Sequence, residues 1–238
     1  MASSAPTFPS TKDTINYARL CRLLVDVGTR VLKETFDNIY PPRILHLELG
    51  KPTVLNLLQS LQKKKILNLV QWNHLYPSTS SQVSSKNFDI TLLVLLLRNI
   101  CGLTPPASGW DTLPSLSDIS FQADIARVKY YRNTVYGHAA QASVDDVTFN
   151  YYWKEIRSSL VRLGGPTYEE AIDKLRTDPL DPETEEHYRK LLREGKTDED
   201  NLAKKIDELS ASIERRFAPT TGKSRVLIHY EIWEITCK

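Results

Sequence analysis

The stretch FDITLLVLLLRNICGL, residues 88–103, decides the fold class of this chain of 238 residues. Its aliphatic run begins at Ile90, contains a single threonine and ends at Arg98. A membrane span needs roughly 20 apolar residues, so a run of this length predicts a helix buried in a protein core. Asn87 is a fair N-cap residue for this helix, and Gly102 stands near its expected end. We therefore expect a central buried helix with the other elements packed around it.

Other segments in the first two thirds of the chain contain apolar residues that recur near a period of 3.6, which is typical of amphipathic helices. The helices predicted in this way cover residues 11–40, 53–61, 118–136 and 145–163. Pro41-Pro42 ends the first of them, and Gly164-Gly165-Pro166 ends the last. The sequence thus predicts an all-α bundle over residues 11–166, after a flexible N-terminus over residues 1–10.

The chain changes character after residue 166. Short helical patterns at residues 168–176, 182–193 and 198–217 predict a helical extension over residues 167–217. Its last stretch has the 4-3-4 spacing of a short coiled coil, formed by Leu202, Ile206, Leu209 and Ile213. Two heptads are too few to be stable alone, so we expect the extension to pack on the bundle or to bind a protein partner. The tail over residues 218–238 is β-prone, and a single strand has no stability of its own.

The net charge of +2 hides an asymmetry along the chain. Residues 1–166 contain 18 basic and 12 acidic side chains, a net charge of +6, whereas residues 167–238 contain 13 and 17, a net charge of −4. A basic front part favours an anionic partner such as RNA, and two solvated faces of opposite charge are the alternative. Lys63-Lys64-Lys65 has two corresponding interpretations, a nucleic-acid patch or a solvated helix end.

The cysteines and the N-terminal sequence indicate the cellular compartment of the protein. Cys21, Cys101 and Cys237 are far apart and odd in number, which suits a reducing interior better than a disulfide framework and matches no metal-binding motif. The first residues do not have the pattern of a signal peptide. We therefore expect a cytoplasmic protein that makes no use of a membrane, a metal or another cofactor.

The candidate functional motif is RNTVYGH, residues 132–138. Arg132 can direct two donors at a phosphate, and His138 can exchange a proton near neutral pH, so the pair can act on a phosphodiester without a metal. Six residues of continuous helix turn through roughly 240°, which would point the two side chains apart. We expect Gly137 to end the helix and let His138 fold back. The alternative is an ordinary helix end, with Arg132 paired to a carboxylate, Asn133 as a local cap and His138 stabilised by the helix dipole.

Cations and aromatic side chains are dense around this motif. Arg127 and Lys129 precede the motif by less than two turns on the predicted helix, and Tyr136 lies within it. Basic and phenolic groups at such spacing are suited to RNA phosphates. We therefore take Arg127, Lys129 and Tyr136 as candidate RNA-binding residues, and Arg132, Asn133 and His138 as the candidate catalytic residues.

Several segments together resemble a known family. They are FDITLLVLLLRNICGL at 88–103, Pro105-Pro106, Gly109-Trp110, ADIAR at 123–127 and YRNTVYGH at 131–138. They resemble the HEPN (higher eukaryotes and prokaryotes nucleotide-binding) domains of the DAZ-interacting zinc-finger ubiquitin-ligase group. The resemblance covers about residues 10–165 and extends more weakly to about residue 216. It implies an all-α bundle that usually dimerises and carries an arginine, often a polar residue next, and a histidine a few residues on.

The resemblance also implies two alternative functions. In related domains the motif forms a composite site across the dimer for metal-independent RNA cleavage. There the RNA 2′-hydroxyl would attack the adjacent phosphate, His138 would move protons and Arg132 would stabilise the oxyanions, leaving a cyclic phosphate and a 5′-hydroxyl. The other function is a non-catalytic assembly module in innate immune or ubiquitin-linked signalling, in which the same face supports packing alone.

Overall fold

The computed structural model describes residues 11–138, 142–180, 183–184 and 187–188. Regular structure in this part of the chain is entirely helical, which confirms the predicted all-α class. The α-helices are α1 (Lys12–Arg22), α2 (Thr29–Ile39), α3 (Pro42–Leu49), α4 (Pro52–Lys63), α5 (Leu69–Leu75), α6 (Ile90–Ile100), α7 (Phe121–Gly137), α8 (Asp146–Gly164) and α9 (Thr167–Thr177). A π-helical segment, Leu23–Gly28, joins α1 to α2, and short 3₁₀ turns occupy Ser80–Gln82 and Ser85–Asn87.

The first helix predicted from the sequence is confirmed as one continuous helical run from α1 to α2. Thr11 and Thr14 begin it with a reciprocal capping box. The backbone stays right-handed through the π segment, and Tyr40 ends the run with φ and ψ of −121° and 87°. A π turn inside an α-helix rotates the side chains that follow it, and here both halves still face the core.

Helix α6 is the central element, as the sequence predicts. The side chains from Leu92 to Leu97 are all buried, and α6 packs against α2 and α7. The helix begins at Ile90 because the Asp89 carboxylate accepts a hydrogen bond from the Leu92 amide at 2.7 Å. Asn87 is therefore not the cap. Burial of one such leucine side chain contributes about 1.5–3 kcal/mol, so this helix alone supplies a large part of the core.

Helices α7 and α8 form the most closely packed pair in the described part of the chain. Trp153 of α8 is completely buried, and α8 also packs on α1 and α2. Helix α7 begins at Phe121 with Ser120 as its cap, three residues later than predicted, since the preceding loop is held in a non-helical conformation by a buried arginine described below. Helix α8 begins after Asp145 and ends before Gly165, whose φ of 90° closes it as predicted.

Two short helices, α3 and α5, were not predicted. Pro41-Pro42 does stop α2, but Pro42 is also the first residue of α3, where its missing N–H costs nothing. Helix α5 follows Asn68, which forms a capping box with Gln71. Helix α4 is two residues longer at its end than the predicted range, at Pro52–Lys63.

The chain divides into two compact units, Met1–Lys196 and Thr197–Lys238. Within the first unit α9 matches the predicted helix at 168–176, packs on α8 and α1, and adds Ile172 to the core. The predicted helix over 198–217, the β-prone tail and the N-terminus over 1–10 lie outside the described residues, as does most of the helix predicted over 182–193. Among the described helices, none is both long and apolar enough to cross a membrane.

Candidate functional site

Arg132 lies in the last turns of α7 with its side chain turned against the domain. It is 6 % exposed, and its guanidinium carbon lies 3.8 Å from the ring centroid of Tyr136, one helical turn further on. Burial raises the pKa of Tyr136, and the positive charge of Arg132 partly offsets that rise. Cation–π contact of this kind contributes about 0.5–2 kcal/mol. The contact holds Arg132 and Tyr136 together as a stacked pair at the helix end.

Asn133 is exposed, and Arg132 fixes its orientation. The Arg132 Nη1 donates a hydrogen bond to the Asn133 Oδ1 at 3.0 Å. Because the oxygen accepts from the arginine, the amide nitrogen is the donor end of this exposed side chain. Of the three candidate catalytic residues, Arg132 and Asn133 are thus brought together by the structure, in direct contact.

His138 does not join them. Helix α7 ends at Gly137, as predicted, but Gly137 is absent from the described glycines with positive φ, which are Gly102, Gly109 and Gly165. His138 follows with right-handed φ and ψ of −80° and 0° and is half-buried. The prediction that Gly137 turns the chain back is therefore wrong. Arg132 and His138 keep their helical separation of roughly 240° and face different directions within one chain.

Arg127 is buried and does not lie at the surface, where it was predicted to bind RNA. Its side chain is 1 % exposed, and its donors go to the Asp124 carboxylate at 2.8 Å, the Asp118 carbonyl at 2.6 Å and the Ser115 carbonyl. A guanidinium that is buried to this degree, with both Nη atoms hydrogen-bonded within the chain, is not placed to contact an RNA phosphate at the surface. Its role in this structure is to hold the loop before α7, and we leave Arg127 out of the candidate site.

The same buried network ties α7 to α8. Asp124 is completely buried, and it also accepts two hydrogen bonds from Arg162, at 2.7 Å from Nε and 2.6 Å from Nη2. These contacts raise the pKa of Arg162, since its hydrogen bonds to Asp124 favour the charged guanidinium. One buried carboxylate thus pairs with two arginines and balances part of their positive charge.

A surface depression of about 470 Å³ lies on the exposed side of α7. Its lining residues combine aromatic, cationic, amide and acidic groups, and they are Trp110, Asp111, Lys129, Tyr130, Asn133 and Thr134. We call this the α7 depression. Two residues predicted from the sequence, Lys129 and Asn133, lie in it, whereas Arg132, Tyr136 and His138 are not among its lining.

Charges in the α7 depression are partly balanced. Asp111 contacts both Lys129 and Arg98, the latter at 3.1 Å. Burial alone would raise the pKa of Asp111, but its hydrogen bond to Lys129 and the charges of Lys129 and Arg98 hold that pKa below its usual range. Two cations therefore share one carboxylate, which leaves a net positive charge at this edge of the depression.

Tyrosine side chains continue from the α7 depression toward α8. Tyr130, which is 37 % exposed, lies edge-on to Tyr131 with ring centroids 5.5 Å apart. Tyr131 contacts Tyr152 at 5.3 Å, and Tyr152 contacts Tyr151 at 6.0 Å. Of these rings, Tyr130 and Tyr151 reach the surface. The cluster fixes Tyr130 in place as an aromatic wall of the depression.

Sequence reasoning missed part of this lining for identifiable reasons. Tyr130 and Thr134 stand four residues apart beside Lys129 and Asn133, so helical spacing could have grouped all of them on one face. Trp110 and Asp111 come from the long loop between α6 and α7. No local sequence pattern predicts which helix such a loop contacts. Among the described residues, no group of three His, Cys, Asp or Glu side chains is arranged to hold a metal ion.

The helical bundle with Arg132, Asn133 and His138 at the end of one long helix is the arrangement expected of a HEPN domain. Residues 42–188 match the family described as DZIP3/hRUL138-like HEPN, and the chain belongs to this family.

Curated relatives agree with this assignment. The human E3 ubiquitin-protein ligase DZIP3 is 32 % identical over 168 residues, which cover 69 % of this chain and 14 % of the relative. The mouse E3 ubiquitin-protein ligase DZIP3 is 30 % identical over 184 residues, 73 % of this chain and 15 % of the relative. The chain thus corresponds to a small part of the length of these relatives. No solved structure matches it.

Proposed function

We propose that this HEPN domain binds single-stranded RNA at the α7 depression. The observation that carries the proposal is the grouping of Lys129, Tyr130 and Asn133 around one cavity on one helix face. Proteins that hold single strands combine a cation for the phosphate, an aromatic face for a base and polar groups for base edges. All three kinds of group are present here, each supplied by α7.

Each side chain has a definite role in this proposal. Lys129 exchanges its contact with Asp111 for a phosphate, and Arg98 remains to balance the carboxylate. Tyr130 offers a ring held by its neighbours, which lowers the entropy lost when a base stacks on it. Asn133 donates from its amide nitrogen, with Arg132 as the positioning residue behind it.

Binding is tested with the full chain, a fluorescently labelled unstructured RNA of about 20 nucleotides and anisotropy titrations at several salt concentrations. Tyr130→Ala should weaken binding about 5- to 150-fold, the range that follows from about 1–3 kcal/mol per stacked base. Lys129→Gln should weaken binding and lower the salt slope by about one counterion. Lys51→Gln, which changes a lysine on the α3–α4 turn, is the charge-matched control and should leave affinity unchanged. Equal affinity for all four proteins would refute the proposal.

Cleavage is a second candidate function, and the half-exposed His138 at the end of α7 favours it. Because one chain does not bring Arg132 and His138 together, we propose that cleavage needs two copies of the domain. RNA incubated in chelator with wild type and with His138→Ala tests this. Cleavage that rises with the square of protein concentration and disappears in the variant supports a composite site. Equal background cleavage by both proteins removes this candidate and leaves the binding proposal standing.

The ubiquitin-ligase activity in the names of the relatives belongs to those longer proteins. From these names we propose only that the domain acts as the RNA-binding part of a ubiquitin-ligase protein or complex. Loss of RNA binding in the anisotropy titrations would remove the basis for that context.

A further inference from the structure

The turn between α4 and α5 displays an apolar patch on the surface. Ile66, Leu69 and Val70 are 46 %, 68 % and 64 % exposed, and we call these three residues the α5 patch. Leu67 and Leu75 on the other side are buried, so the short helix is anchored in the core while the patch faces outward. Grouped exposed aliphatic side chains of this kind mark interaction sites more often than scattered single ones do.

The turn that presents the α5 patch is specifically built. Lys65 has a φ of 59°, and the Lys65 and Ile66 amides donate to the carbonyls of Gln62 at 2.9 Å and Leu61 at 3.0 Å. This is the hydrogen-bond pattern of a Schellman motif, in which glycine usually occupies the left-handed position. Asn68 then begins α5 at once with its capping box. The exposure of the patch is thus imposed by hydrogen-bonded caps on both sides of the turn.

The α5 patch has a strongly basic border. Lys63, Lys64 and Lys65 precede it directly, and all three are exposed. In the part of the chain that the structure describes, none of the three forms a salt bridge with a carboxylate, whereas Lys51 at the start of α4 is paired with Glu48. Three uncompensated cations beside three exposed aliphatic side chains define a surface that is complementary to an acidic and apolar partner.

RNA and a lipid surface fit this surface less well than a protein does. Binding of single-stranded RNA relies on aromatic stacking, and the exposed members of the patch are aliphatic. Anionic membranes are recognised by about four to eight grouped basic residues, more than the three lysines of this turn. An amphipathic helix instead offers aliphatic side chains three and four residues apart for the patch, and carboxylates along its border for the lysines.

We propose that the α5 patch and Lys63–Lys65 dock a short acidic amphipathic helix of a protein partner. This surface shares no residue with the α7 depression, so the inference is independent of the proposed RNA binding.

The test uses the full chain and a labelled synthetic peptide of about 15 residues, with leucines at helical positions i, i+3, i+4 and i+7 and glutamates at most others. A second peptide has lysines in place of the glutamates. The glutamate peptide should bind, and the double variant Leu69→Ser/Val70→Ser should weaken it roughly tenfold or more. Changing Lys63, Lys64 and Lys65 to glutamine should weaken it and flatten its salt dependence. The lysine peptide should bind at least tenfold more weakly.

Val147→Ser is the matched control, since Val147 is an aliphatic side chain of α8 that is 81 % exposed. It should leave peptide affinity unchanged, and thermal melts should show that all variants are folded. Three outcomes would overturn the proposal: no binding of the glutamate peptide, equal binding of both peptides, or equal affinity of the patch and control variants. A change of oligomeric state, of RNA affinity or of binding to phosphatidylserine vesicles in the patch variant, without a change for the peptide, would assign the patch to that other occupant.

Discussion

Two basic residues of α7, Arg127 and Lys129, show how position within the fold separates a structural role from a binding role. Both lie close to the motif in sequence, and both were candidate RNA-binding residues on that basis. The structure buries Arg127 against Asp124 and leaves Lys129 in an open depression. The difference depends on where the loop before α7 folds, because its carbonyls at Ser115 and Asp118 attract Arg127 inward. Helical periodicity alone does not contain that information.

Replacement of Arg127 tests its structural role. Arg127→Met should lower the free energy of unfolding by about 3–5 kcal/mol, because Asp124 loses one of two cationic partners and two loop carbonyls lose their donor. Urea unfolding followed by circular dichroism measures this. Lys12→Met removes a pair whose lysine side chain is 74 % exposed, and should cost no more than about 1 kcal/mol. Similar losses for the two variants would show that the network at Asp124 does not stabilise the bundle.

At the scale of elements, the long helices were predictable from their apolar residues, and the two short helices α3 and α5 were not. Helix α6 is recognisable from its continuous apolar run, and α8 and the α1–α2 run are recognisable from apolar residues that recur on one face. Helix α3 begins at Pro42 without a side-chain cap, helix α5 begins with the capping box at Asn68, and both are too short to show a periodic stripe. The end of α7 was predicted in part. The sequence correctly indicated that the helix ends at Gly137, but it did not predict the backbone conformation there.

Glycine-to-alanine substitutions at two helix ends test the backbone at this scale. Gly137 is helical and exposed, and a Cβ there would meet no atom within 4 Å. Gly137→Ala should therefore raise the free energy of unfolding, by up to about 1 kcal/mol, since alanine is the better helix former. Gly164→Ala should lower it by about 1–3 kcal/mol, because its Cβ would come within 2.6 Å of the Tyr168 ring and 3.0 Å of Val31. Marked destabilisation by Gly137→Ala would mean that the chain does turn there, as the sequence suggested.

At the scale of the whole molecule, the family was recognisable from the sequence and the composition of the site was not. The motif at 132–138 identified the class of domain, yet the structure divides it: Arg132 and Asn133 are in contact, and His138 follows the end of the helix, six residues on from Arg132. The cavity beside the motif is completed by Trp110 and Asp111, which reach it from a loop. Which residues of the motif can contact a ligand depends on how α7 packs against α8 and on where the loop with Trp110 and Asp111 folds.

The central claim is that RNA lies in the α7 depression, and photo-crosslinking tests it most directly. The full chain is irradiated with single-stranded RNA that contains 4-thiouridine, and mass spectrometry identifies the peptides that are attached. We predict attachment at Tyr130 or Trp110, and loss of most of it in Lys129→Gln. Attachment confined to Lys63–Lys65, or none above the level of an unirradiated sample, would contradict the claim.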